Sequence, residues 1–287
     1  MTKNEIDEIS GTETTGHDWD GIRELDTPMP RWWLWTFYAC ILFSLVYVIL
    51  YPAIPLVNGA TKGWLGYSTR IELKNSIDVA LDEQKESRLK IENASLAEIK
   101  ADPTLLSFAQ AGGRAAFKVN CIQCHGSGAE GSKGNPNLND DDWLWGGSLE
   151  TIHQTILHGI RYEQDDDTRL SQMPAFGTDE LLTPAEIDAV ADYVISLSKA
   201  ETPPGGEGAD LFAANCASCH GENGGGNPEM GAPALNDQIW LYGGSKETVV
   251  ESITKSRRAV MPAWAARLDA ATIKQLAIYV HGLGGGQ

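Results

Sequence analysis

The sequence predicts a mainly α-helical protein with one N-terminal transmembrane helix, followed by two tandem copies of one small helical module. Positions 32–57 contain no charged residue, and a run of that length can cross the hydrocarbon core of a bilayer as one helix. The stretch "GRAAFKVNCIQCHG" recurs later as "GADLFAANCASCHG". Both copies end in matching stretches, "LTPAEIDAVADYVISL" and "LDAATIKQLAIYVHGL". Each copy is therefore predicted to open with a short helix, continue through loops rich in Gly, Pro and Asn, and close with an amphipathic helix.

The charge balance limits the partners of the chain. It carries 39 Asp and Glu against 22 Lys and Arg, a formal net charge of −17. That balance argues against a nucleic-acid partner, because nucleic-acid binding needs a basic surface. A partner selected by charge should be basic, although acidity also serves solubility alone.

The apolar run has the features of an uncleaved membrane anchor. Trp32, Trp33 and Trp35 lie at one end and Tyr51 at the other, as amphipathic aromatic residues do at membrane interfaces. No small-residue cleavage site follows, so a removable signal peptide is not expected. Lys and Arg are equally frequent on the two sides, so the positive-inside rule gives no orientation. The lone Cys40 within the run is interpreted as a small apolar residue.

Composition divides the chain into six segments. The boundary between the copies is placed at Pro203, Pro204, Gly205 and Gly206, which cannot continue a helix. The predicted segments are a flexible tail (1–31), the transmembrane helix (32–57), an exposed helical connector (58–104), the first module (105–197), a linker (198–207) and the second module (208–287). Thr183 and Asp269 are predicted to cap the two closing helices, Thr183 as part of a capping box.

Each copy contains a C-x-x-C-H motif, formed by Cys121, Cys124 and His125 in the first and by Cys216, Cys219 and His220 in the second. Two cysteines on one helical turn can form thioethers with the vinyl groups of haem, and the adjacent histidine then reaches the iron. The motifs predict two covalent haems c, one in each of two class I cytochrome c-like domains. A closed zinc site would need four ligands, and each copy offers three. A thioredoxin-like pair would need an α/β context.

A methionine is a suitable sixth ligand for a haem iron that transfers electrons. The two copies share Met173 in "QMPAF" and Met261 in "VMPAW", and the proline after each stiffens the loop. Met230 is expected to pack instead, because aligning Asn135 with Asn227 places it opposite Leu138, where the first copy has no methionine. The residues leave the pairing open, and the simplest arrangement pairs His125 with Met173 and His220 with Met261.

The stretch "ELDTPMPRWWLW" before the apolar run, combined with the two modules, resembles the membrane-anchored dihaem subunit of cbb3-type cytochrome c oxidases, the CcoP/FixP family. The resemblance covers nearly the whole chain. It implies transfer of electrons from a soluble or anchored cytochrome c, through two haems c, towards the catalytic haem–copper subunit, with a monohaem cytochrome c subunit as a further partner. The chain has no histidine cluster in membrane helices, so it is not expected to reduce oxygen alone.

The resemblance also implies an exchange of methionines, in which Met261 reaches the haem held by Cys121 and Cys124 while Met173 reaches the haem held by Cys216 and Cys219. Haem c is attached on the outer face of the bacterial inner membrane, which would make the modules periplasmic and the N-terminus cytoplasmic. The alternative function is a membrane-anchored dihaem shuttle that serves another respiratory complex. A haem sensor would leave an iron position open, and two Met-Pro sites argue against it.

Overall fold

The computed structural model describes residues 5–199 and 205–284, and it divides into two units, Met1–Asp82 and Glu83–Gln287. In the first unit, β1 (Thr14–Trp19) and β2 (Ile22–Leu25) form an antiparallel hairpin. The turn consists of Asp20 and Gly21, both with positive φ, which is the preferred chemistry of a two-residue hairpin loop. The hairpin contradicts the flexible tail predicted for residues 1–31, and the Asp-Gly pair is the local signal for it.

Helix α1 spans Arg31–Leu50, and among the described residues it is the one helix long and apolar enough to cross a membrane. Its 20 residues correspond to about 30 Å, the thickness of a bilayer core. The helix ends earlier than the predicted span because Pro52 has no N–H to continue it. The chain then forms a second small hairpin, β3 (Pro55–Leu56) with β4 (Gly59–Ala60).

After β4, the regular secondary structure of the described residues is helical apart from isolated β-bridges, which confirms the predicted fold class. In order, the helices are α2 (Thr69–Asn93), α3 (Leu96–Ala101), α4 (Pro103–Asn120), α5 (Ile122–His125), α6 (Leu149–His158), α7 (Pro184–Leu197), α8 (Glu207–Asn215), α9 (Ala217–His220), α10 (Lys246–Lys255) and α11 (Ala270–His281). The Thr183 capping box on α7 and the Asp269 cap on α11 are both present. Helices α6 and α10 were not predicted, although Ser148 and Ser245 cap them.

The described residues form two hydrophobic cores, and both combine helices from the two sequence copies. In the first core, α4 and α6 both pack against α11. In the second core, α8 and α10 pack against α7. The closing helix of each copy therefore packs on the opening helix of the other copy.

Repeated glycines allow these helices to approach closely. A Cβ on Gly113 of α4 would lie 2.1 Å from the carbonyl oxygen of Gln275 in α11. A Cβ on Gly208 of α8 would lie 2.4 Å from the carbonyl oxygen of Ala189 in α7. The repeat places glycine at both positions because the backbones touch there.

The end of the connector belongs to the first core. Ile91, Leu96 and Ile99 are buried in it, whereas the sequence reading expected this segment to be exposed. Lys274 of α11 donates hydrogen bonds to the carbonyls of Glu92 and Ala94, both at 2.7 Å. These contacts satisfy carbonyls that the end of α2 leaves without helical partners.

Candidate haem sites

In each copy the C-x-x-C-H motif forms a single helical turn. In the first copy, α4 ends at Asn120, and the backbone N–H of His125 donates to the carbonyl of Cys121 at 3.0 Å. In the second copy, the N–H of His220 donates to the carbonyl of Cys216 at 2.9 Å. The two thiols and the imidazole of each motif therefore project from one turn.

Both histidines present the same ring nitrogen for coordination. The Nδ1 atom of His125 lies 3.0 Å from the carbonyl oxygen of Pro136, and Nδ1 of His220 lies 2.9 Å from that of Pro233. Because a carbonyl can only accept a hydrogen bond, Nδ1 must carry the proton and Nε2 keeps its lone pair. Burial lowers the pKa of both histidines, which favours the neutral form. A neutral imidazole whose other nitrogen donates to a carbonyl is the usual form of a metal-ligating histidine.

The first thiol of each motif is not activated for redox exchange. Burial, with a smaller effect of Cys124, raises the pKa of Cys121 to about 11. The pKa of Cys216 is raised to about 11 by burial and by Cys219. Redox-active C-x-x-C pairs have a lowered thiol pKa, so the environment disfavours that alternative. Two thiols on one turn beside an imidazole with a free Nε2 fit the requirements of haem c.

The two shared methionines pack against different cores. Met261 packs against the first core, as do Cys121 and Ile122 of the first motif. Met173 packs against the second core, in which Cys216 of the second motif is buried. Each methionine thus shares a core with the C-x-x-C-H motif of the other sequence copy.

Each methionine segment is held by the end of a helix. After α6, the N–H of Ile160 donates to the carbonyl of Met261 at 2.9 Å, and the N–H of Met261 donates back at 3.0 Å. After α10, the hydroxyl of Ser256 donates to the carbonyl of Met173. The ends of α6 and α10, the two helices that were not predicted, therefore position the loops that carry the methionines.

Met230 has a different environment from the shared methionines. It is 37% exposed and lies outside both cores, so the expectation that it packs is wrong. The alignment behind that expectation is also wrong, because Pro136 and Pro233 are the equivalent residues, each accepting from a histidine Nδ1. Leu138 corresponds to Leu235, since the two backbones make the same hydrogen bond to the preceding loop. The recurring Asn-Pro dipeptide caused the wrong register.

Trp143 and Trp240 occupy equivalent places in the two cores. Trp143 packs against the first core and Trp240 against the second. A Cβ on Gly147 would lie 2.6 Å from the ring of Trp143, and a Cβ on Gly244 would lie 2.6 Å from the ring of Trp240. The tryptophans are thus walls of the cores that contain the motifs.

Tandem helical modules with C-x-x-C-H turns and an apolar anchor helix define the class of membrane-anchored c-type cytochromes. Residues 11–58 match the family model described as the N-terminal domain of cytochrome oxidase-cbb3, FixP. Residues 108–194 and 203–280 both match the model described as cytochrome C oxidase, cbb3-type, subunit III.

Relatives match along the full chain. The chain is 53% identical to the cbb3-type cytochrome c oxidase subunit CcoP of Cereibacter sphaeroides over 96% of this chain and 95% of that protein. It is 52% identical to the subunit FixPc of Rhizobium leguminosarum bv. viciae over the full length of both. It is 50% identical to the subunit CcoP of Azospirillum brasilense, again over both full lengths. The chain belongs to the family of subunit III of cbb3-type cytochrome c oxidases, and it is an electron-transfer subunit that binds haem c covalently.

Proposed function

We propose that the chain holds two covalent haems c and passes electrons from a basic cytochrome c towards the haem–copper subunit of the oxidase. The observation that carries this proposal is that both C-x-x-C-H turns present an imidazole whose Nδ1 is bound to a carbonyl and whose Nε2 is available. Cys121 and Cys124 would hold one haem, and the corresponding cysteines of the second copy, Cys216 and Cys219, would hold the other. The haems supply the one-electron redox couple when bound.

The axial methionines are proposed to be exchanged between the copies, so that Met261 pairs with His125 and Met173 pairs with His220. Packing supports this arrangement, because Met261 shares the first core with Cys121 and Met173 shares the second core with Cys216. Under the alternative pairing, within each copy, both methionines would have to leave the cores against which they pack.

Double variants of the full-length holoprotein test the exchange. His125→Gly with Met261→Ala removes both ligands from one iron if the methionines are exchanged, so about half of the absorption band of methionine-ligated ferric haem should remain. His125→Gly with Met173→Ala then damages both irons, and the band should be lost. Pairing within each copy gives the reverse result. The matched set, His220→Gly with Met173→Ala or Met261→Ala, checks the second haem.

The charge of the downstream part supports a basic donor. Residues 58–287 contain 31 Asp and Glu and 19 Lys and Arg, a formal net charge of −12. An acidic surface attracts a cationic partner and speeds its association. The donor would be soluble or anchored, and the monohaem cytochrome c subunit of the oxidase is a further proposed partner.

The membrane arrangement proposed is a single pass through the bacterial inner membrane by α1. The motifs would lie in the periplasm, where haem c is attached, and the N-terminal hairpin would lie in the cytoplasm. Reporter fusions test this: a periplasm-dependent reporter should be active after residue 284 and inactive at the N-terminus. The reverse pattern would contradict the arrangement.

Co-purification distinguishes the proposed function from a shuttle that serves another respiratory complex. Affinity capture of the tagged full-length chain from detergent-solubilised membranes should recover a haem–copper subunit in near-equal amount. Capture of a different respiratory complex without the haem–copper subunit would favour the shuttle.

Haem staining after denaturing electrophoresis should retain signal in the single variants His125→Gly and His220→Gly, because thioether bonds survive denaturation.

A further inference from the structure

Arg161 lies between the two methionine-bearing segments and contacts both. Its Nη1 donates to the carbonyl oxygen of Ser171 at 2.6 Å, and its Nε donates to that of Ala259 at 3.0 Å. Ser171 and Ala259 each precede a shared methionine by two positions. One guanidinium therefore joins the segments that carry Met173 and Met261.

The surroundings hold this guanidinium in place. The Arg161 side chain is half-buried, and its Cζ lies 6.0 Å from the ring centroid of the buried Trp145. Its planar fork can donate to two acceptors in fixed directions, which an ammonium group cannot do.

Hydrogen bonds also hold the backbone at Arg161 in an unfavourable conformation. The φ of Arg161 is +53°, in the left-handed region that residues with a Cβ avoid. Its N–H donates to the carbonyl of Arg169 at 2.8 Å, and the preceding Ile160 pairs with Met261 through two hydrogen bonds. An unfavourable conformation persists where surrounding contacts over-determine it, and such residues cluster at functional sites.

We propose that Arg161 is a positioning residue that couples the two methionine segments, so that losing its guanidinium loosens both methionines together. The inference rests on the proposed function only in taking Met173 and Met261 as the iron ligands. It does not depend on which iron each methionine reaches, because Arg161 contacts both segments in either pairing.

Arg258 provides a matched control. It occupies the place of Arg161 in the repeat, before "AVMPAW". Its side chain is exposed, and its Nη1 donates at 2.5 Å to the side-chain oxygen of Gln172 rather than to a carbonyl of each segment. Arg258→Gln removes the same charge and only this one exposed side-chain contact between the segments, and it leaves both carbonyl contacts of Arg161 in place.

The test measures how firmly each methionine is held in the full-length ferric holoprotein. Imidazole binds to ferric haem c by displacing methionine, so its apparent Kd falls when the methionine is loosened. Arg161→Gln should lower that Kd about tenfold at both haems, as expected for loss of a hydrogen bond from a charged donor. Arg258→Gln should leave both values within about twofold of wild type. Repeating the titrations in Met173→Ala and Met261→Ala backgrounds assigns each change to one haem.

Three results would overturn the proposal: an Arg161→Gln effect confined to one haem, no effect at either haem, or an equal effect of Arg258→Gln. Arg161→Lys keeps the charge but loses the fork of the guanidinium. It should therefore restore less than half of the fall in the apparent Kd for imidazole that Arg161→Gln causes. A full return to the wild-type Kd at both haems would also contradict the coupling. If Arg161→Gln does not accumulate as a holoprotein, Arg161→Lys carries the test, with a lowered Kd expected at both haems. Failure of the proposed ligation is recognised separately: the methionine band would then keep its full intensity in both Met173→Ala and Met261→Ala, instead of falling by about half in each.

Discussion

The rings of Phe117 in α4 and Tyr279 in α11 meet with centroids 5.4 Å apart and planes inclined by 55°. Phe212 in α8 and Tyr193 in α7 repeat this contact at 5.2 Å and 52°. In both pairs the phenylalanine precedes a C-x-x-C-H motif and the tyrosine belongs to the closing helix of the other copy. The two cores are thus built in the same way, each from both copies.

Substituting the glycine at a helix crossing should destabilise the protein. Gly113→Ala places a Cβ 2.1 Å from a backbone carbonyl that cannot rotate away, so α4 and α11 must separate. Overpacking of this kind costs about 1–3 kcal/mol, and the free energy of unfolding in denaturant should fall by that amount.

Gly205→Ala is the control for this prediction, because a Cβ there meets no atom within 4 Å. Gly208→Ala, with its Cβ 2.4 Å from the carbonyl of Ala189, should behave like Gly113→Ala. Equal stability of the Gly113 and Gly205 variants would contradict the close crossing.

Removing the cap of α11 should weaken the first core. The carboxylate of Asp269 accepts from the N–H of Thr272 at 3.0 Å and pairs with Arg88 at 2.7 Å. Asp269→Ala should lower the free energy of unfolding by about 1 kcal/mol through the lost cap, measured by thermal or denaturant unfolding.

Asp269→Asn separates the two roles of that side chain. Asparagine caps a helix as well as aspartate does, and the exposed ion pair with Arg88 contributes little. The Asn variant should therefore remain within about 0.5 kcal/mol of wild type. A loss as large as that of Asp269→Ala would show that the ion pair, not the cap, is the important contact.

The pH dependence of stability should contain a contribution from Asp142. Burial, then the nearby carboxylates of Asp237 and Asp140, raises the pKa of Asp142 from its ordinary value of 3.8 to about 6. Between these two pH values the folded state binds more protons than the unfolded state, so stability falls as pH rises through this window and is then constant. Asp142→Asn should therefore stabilise the protein at pH 7, by about 1–2 kcal/mol for this partly buried group.

Below pH about 4 the Asp142→Asn variant and wild type should be equally stable, because the carboxyl is then protonated in both folded and unfolded chains. Asp141→Asn removes the neighbouring exposed carboxylate and is the control for the change in net charge. A gain in stability at pH 7 that is equal for both variants would indicate a general charge effect.

Electron transfer from a basic cytochrome c should depend strongly on salt. Attraction to the acidic region is screened over a Debye length of about 10 Å at 0.1 M salt, so the second-order rate constant should fall steeply as ionic strength rises. Stopped-flow mixing with a basic and an acidic donor compares the two cases. A response to salt that is flat for the basic donor contradicts electrostatic docking.

Local signals in the sequence predicted the motifs, the caps and the helical class. Cys121 and His125 are separated by a spacing that has one main chemical use, and the caps at Thr183 and Asp269 depend on residues a single turn away. These features involve neighbours along the chain, so the sequence alone was sufficient.

Features that depend on distant residues could not be predicted in this way. The role of Arg161 depends on Ser171 and Ala259 reaching one side chain from two loops, and no local pattern reports that meeting. The exposed position of Met230 follows from a loop that is longer in the second copy, since His220 and Pro233 are 13 positions apart and His125 and Pro136 are 11 apart. Helices α6 and α10 did have a local signal, a serine cap before an amphipathic stretch, which the sequence reading overlooked.

Because of the packing of α7 and α11, the unit that is repeated in the sequence is not the same as the unit that forms a hydrophobic core. Each closing helix completes the core that contains the other copy's opening helix. The two copies have therefore exchanged their closing helices. The predicted linker, 198–207, of which residues 200–204 lie outside the described part of the chain, is then not needed to hold the two copies together. A protease site engineered there should yield two fragments that remain associated and dissociate only when the cores themselves unfold.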